Sequence, residues 1–143
     1  MKTILQTIIL FSIITSNLNS QAKDTPDFYG DWTLLSSSID GVKFEIKGTF
    51  TETYEYDSME AINNGSLFHK ETIITSNCIV KYQIDRKNKN RFIQTILSHS
   101  GSDCTAYQDG DSMIVDYKVS GNIMTQTIFM NNSKIISKYR RTH

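Results

Sequence analysis

The chain has 143 residues, enough for one domain with a single compact core. Its 15 Lys and Arg balance its 15 Asp and Glu. That balance argues against nucleic acid or an anionic membrane surface as the main partner. The one basic cluster, Arg86-Lys87-Asn88-Lys89-Asn90-Arg91, reads as a solvated hairpin turn.

The first 22 residues have the order of a secretory signal peptide. Met1-Lys2 is a basic start, Ile4 to Ile14 is apolar, and Thr15 to Ala22 is small and polar. The apolar part is shorter than the ~20 residues of a transmembrane helix, so no membrane span is expected. Cleavage after Ala22 would leave residues 23–143 as one domain, secreted or periplasmic.

Gly30 to Ser38 reads as the first strand, with Trp32, Leu34 and Ser36 on one face and Thr33, Leu35 and Ser37 on the other. Asp40-Gly41 is a turn signal. Val42, Phe44, Ile46, Gly48 and Phe50 then alternate with Lys43, Glu45, Lys47 and Thr49, the period of a strand with one buried face. The same parity carries Glu52, Tyr54 and Tyr56 inward. Asp57 to Gly65 loses the pattern, which suggests a short helical piece ended by a turn at Asn63-Asn64-Gly65.

Ser66 to Thr75 reads as a strand and Ser76-Asn77 as a turn. Cys78, Val80, Tyr82 and Ile84 then share an inner face. Phe92 to Ser98 is apolar on both faces, and Ser100-Gly101-Ser102 reads as a break. Asp109-Gly110 is a hairpin signal, after which Met113, Val115, Tyr117 and Val119 alternate with polar or exposed positions. Ile123 to Met130 and Lys134 to Arg141 are the last two strands, separated by Asn131-Asn132.

This is an all-β chain of eight or nine antiparallel strands in sequence order. Such a meander leaves two exposed edges unless it closes into an up-and-down barrel. The inward set Phe44, Ile46, Phe50, Glu52, Tyr54, Tyr82, Ile84, Met113, Val115 and Tyr117 would line a cavity. It suits a small hydrophobic or amphipathic ligand. The alternative is that these side chains fill the barrel, which then acts through its surface as an interaction module or an inhibitor of a secreted enzyme. Outward Ile79, Ile114 and Ile136 would support that alternative if they cluster. Cys78 and Cys104, an even pair in an exported chain, read as a disulfide worth roughly 3.5 kcal/mol.

Three motifs add a family resemblance. Gly30-Asp31-Trp32 is similar to the first motif of the lipocalins, Val115-Asp116-Tyr117 resembles their second, and Arg140-Arg141 sits at the closing-strand Arg. Together they resemble the lipocalin and fatty-acid-binding-protein superfamily across the whole mature chain. The resemblance implies a lipocalin-like barrel closed at one end by Trp32, with an Arg over the indole. Strand parity favours Arg141 over Arg140 for that role. In intracellular fatty-acid-binding proteins an Arg-x-Tyr near the C-terminus holds the ligand carboxylate. Here that position reads Ser137-Lys138-Tyr139, so the Arg is missing.

No catalytic set emerges: His69 with Glu71, and His99 with Asp103, are not tied into one constellation, and no phosphate loop or nucleophile elbow occurs. Neither enzyme activity, nor a metal, nor a cofactor is expected. Asn64 and Asn131 lie in glycosylation sequons that matter only in a eukaryotic secretory route.

Overall fold

The computed structural model describes residues 27–142. The expected signal peptide, residues 1–22, lies outside the described residues. Nine strands follow in chain order: β1 (Gly30–Ile39), β2 (Val42–Lys43), β3 (Glu45–Tyr54), β4 (Ser58–His69), β5 (Thr72–Asn88), β6 (Arg91–Asp103), β7 (Ser112–Ser120), β8 (Ile123–Met130) and β9 (Ser133–Arg141). All pairings are antiparallel. β1 pairs with β9, which closes eight strands into a barrel and removes both edges. The ninth, two-residue β2, is an outlying hairpin arm on β1. No helix among the described residues is long and apolar enough to cross a membrane.

Local turn chemistry accounts for the tightest hairpins. Asp40 (φ 48°) and Gly41 (φ 83°) are both left-handed, as are Asn131 (φ 46°) and Asn132 (φ 68°). Two such residues make the two-residue loop whose twist matches paired strands.

Elsewhere the turn signals mislead. Residues 58–69 are strand β4 throughout, with no helical piece, and Asn63-Asn64-Gly65 lies inside it. Ser76-Asn77 lies inside β5 and Ser100-Gly101 inside β6. The run Ser66 to Thr75 is two strand ends, joined by a turn where Lys70 has φ 58°. The glycines mark close strand crossings instead of reversals. Gly48 and Gly65 face one another across β3 and β4, and a Cβ on Gly65 would sit 2.0 Å from the Lys47 carbonyl oxygen. The register of β4 against β5 shifts between Asn63 and Ser66. There the Gly65 N–H donates to Asn77 Oδ1 at 3.0 Å, so the irregularity keeps its backbone donor satisfied.

A second bulge corrects the facing of β1. Its pairing with β9 shifts between Leu34 and Ser36. Leu35 is pushed out to solvent and the inward parity changes, so Ser37, expected beside Leu35, is buried instead. Its hydroxyl bonds that of Ser137 on β9 at 2.8 Å.

One end of the barrel is packed solid. Trp32 has 0% exposure and donates its indole N–H to the Phe28 carbonyl at 2.8 Å. Arg141 lies 4.2 Å above the indole and donates to the carbonyls of Tyr29 (2.6 Å) and Asp27 (2.7 Å). Phe28 is the hub of an aromatic cluster, 5.4 Å from Tyr54, 5.1 Å from Phe92 and 4.9 Å from Tyr117 between ring centroids. Such contacts add about 0.5–1.5 kcal/mol each beyond burial.

Candidate functional site

Above this aromatic plug the barrel holds a cavity of about 240 Å³. Glu52 of β3 borders it, paired in register with Ala61 of β4. Leu34, Phe50, Ile74, Met113, Ile128 and Ile135 supply apolar wall. At the end away from Trp32, Phe44, Leu67 and Met130 reach the surface.

The floor is polar and organised around Glu52. Tyr54 donates to Oε2 at 2.6 Å, Gln126 Nε2 donates to the same oxygen at 3.2 Å, and Tyr139 donates to Oε1 at 2.7 Å. Gln126 Nε2 also donates to the Tyr54 hydroxyl at 2.7 Å. Strands β3, β8 and β9 therefore meet in one network. Desolvation pushes the Glu52 carboxyl above the ordinary carboxylate range, and the three hydrogen bonds pull against that rise. The side chain points into the barrel yet keeps part of its surface accessible, because it borders the cavity. Tyr54 and Tyr139 are held well above the normal phenol range, by burial first and by the neighbouring Glu52 carboxylate.

A second polar group lies on the wall. Asn63 Nδ2 donates to the Tyr107 hydroxyl at 3.2 Å. Thr75 donates to the Asp103 carbonyl at 3.1 Å. Gln94 also lines the cavity, and its buried Oε1 has no partner within the described residues. Ala106 and Tyr107 come from the segment after β6, which the Cys78–Cys104 disulfide fastens to β5 with a Cα–Cα distance of 5.5 Å.

The expected inward residues separate into two groups. Phe44, Phe50, Glu52, Tyr82 and Met113 line the cavity. Tyr54, Ile84, Val115 and Tyr117 belong to the buried core cluster and are not among the lining side chains. Ile46 is partly buried on β3, also outside the lining. Gln94, Gln126 and Phe28 are not singled out by the sequence, and Asn63, expected in a turn, instead faces the cavity from β4. Alternation could have found Gln126, which sits between Met124 and Ile128, but a lone Gln in an apolar run has no visible partner along the chain.

Among the described residues no group of three His, Cys, Asp or Glu is placed to hold a metal ion. His99 bonds Asp109 at 2.7 Å rather than Asp103, and His69 stacks edge-on against Phe44. Outward Ile79, Ile114 and Ile136 lie on β5, β7 and β9, which are not neighbours in the sheet. Comparison with protein-family models, curated proteins and solved structures finds no match to this chain.

Proposed function

We propose that this protein is an exported, lipocalin-like binding protein, not an enzyme, that carries or sequesters a small hydrophobic or amphipathic molecule inside its barrel. The observation that carries this reading is the 240 Å³ cavity with an apolar wall and one organised polar group at its floor. Ligand sites combine a mostly apolar lining with a few placed polar groups in this way. The size suits a small ligand, since an apolar cavity of about 150 Å³ accommodates benzene. The disulfide fits an oxidising compartment, secreted or periplasmic.

The test uses full-length protein purified from its own host, with native mass spectrometry followed by extraction of whatever is bound. A co-purifying small molecule is expected. Ala61→Phe, which puts a ring beside Glu52 in the cavity, should lose it while the melting temperature is retained. A clean unliganded mass, with no fluorescent hydrophobic probe entering the folded protein, would favour a filled barrel acting on a protein partner.

A further inference from the structure

The cavity floor presents a carboxyl group that no cationic side chain of the lining faces. None of the ion pairs among the described residues includes Glu52. Among the described residues that line the cavity, none is a lysine, arginine or histidine. The nearby donors are already committed. The Tyr54 hydroxyl, the Tyr139 hydroxyl and Gln126 Nε2 all point at Glu52. A carboxylate offers about four acceptor sites. Two bonds fall on Oε2 and one on Oε1, so Oε1 retains acceptor capacity on a group that borders the cavity.

These observations discriminate among ligands. An anionic ligand such as a fatty acid would bring a second carboxylate toward Glu52 and find its donors occupied. Like charges at that distance repel strongly in a desolvated site. A neutral donor could bond Oε1 but would leave the charge uncompensated. A cation would do both, because charge-assisted hydrogen bonds are roughly twice as strong as neutral ones. Phe50, Tyr82, Tyr107 and Tyr139 are in the lining, and aromatic rings favour a cation placed over their faces.

We infer that the ligand is a small amphipathic amine, its ammonium paired with Glu52 Oε1 and an apolar body of about one ring lying along the wall between Ala61, Phe50 and Met113. The inference rests on the ligand-binding reading of the cavity and adds the ligand's chemical class. It also assigns Glu52 as the residue that sets specificity.

Three probes of one shape separate the cases: 2-phenylethylamine, 2-phenylethanol and phenylacetate, titrated into the full chain by calorimetry at neutral pH. The amine should bind about tenfold to a hundredfold tighter than the alcohol, the range of one charge-assisted bond, with phenylacetate weakest. Glu52→Gln should collapse the amine-to-alcohol ratio to about twofold or less. Equal binding of amine and alcohol by the unaltered protein, or an amine preference that survives Glu52→Gln, overturns the amine assignment and leaves the cavity reading standing. Failure of all three probes overturns both. The selectivity of the unaltered protein decides the question even if the variant folds poorly.

Discussion

Glu52 carries the sharpest physical tension in the molecule. A desolvated carboxyl whose folded-state value lies above its unfolded one prefers to hold its proton in the native state. Its contribution to stability is therefore fully present below the unfolded carboxylate value and is lost as pH rises through the higher folded one. The Glu52→Gln variant keeps an acceptor for the Tyr54 hydroxyl but has no charge to bury. The melting temperature of the variant relative to the parent should thus become more favourable as pH rises from below the ordinary carboxylate range to neutrality. Thermal unfolding of both proteins across that range checks this, and a flat difference would contradict it. Glu52's inward parity was legible in the alternation of β3. Its partners were not, because Gln126 and Tyr139 lie 74 and 87 residues further along the chain.

Strands β3 and β4 show how an element can carry a glycine without turning. Gly48 (φ 123°) and Gly65 (φ 133°) occupy backbone conformations that side chains rarely adopt. A Cβ at Gly48 would meet the Asn64 carbonyl oxygen at 2.1 Å. Gly48→Ala should cost roughly 2–5 kcal/mol, combining backbone strain with overpacking, measured as a shift in urea midpoint. Gly41→Ala makes the control, since nothing lies within 4 Å of its Cβ position and only the φ 83° strain remains. The composition of Asn63-Asn64-Gly65 is that of a turn, yet the stretch lies inside β4. Asn and Gly favour left-handed backbone wherever it occurs, in hairpin loops and bulges alike. The same ambiguity hid the reversal at Lys70-Glu71, which has no Gly, Pro or Asn to announce it.

At the scale of the whole molecule, the two ends of the barrel have been given different tasks. Aromatic rings and Arg141 close one end, while the cavity occupies the space toward the other. The disulfide ties the second half of the wall together by anchoring the segment that presents Ala106 and Tyr107 to β5. Replacing both Cys78 and Cys104 by Ala should lower the unfolding free energy by about 3.5 kcal/mol in chemical denaturation, with the aromatic end still folded. An all-β meander, closure into about eight strands, and pairing of the two cysteines followed from the sequence by itself. Alternation, turn preference and cysteine count are properties of short stretches of chain. Three features were decided only by the tertiary structure: the bulge that turns Ser37 inward, the division of the inward side chains between plug and cavity, and the uncompensated carboxylate at the floor. Each depends on registers between strands distant in sequence and on how side-chain volumes fill a closed barrel, and no local pattern encodes either.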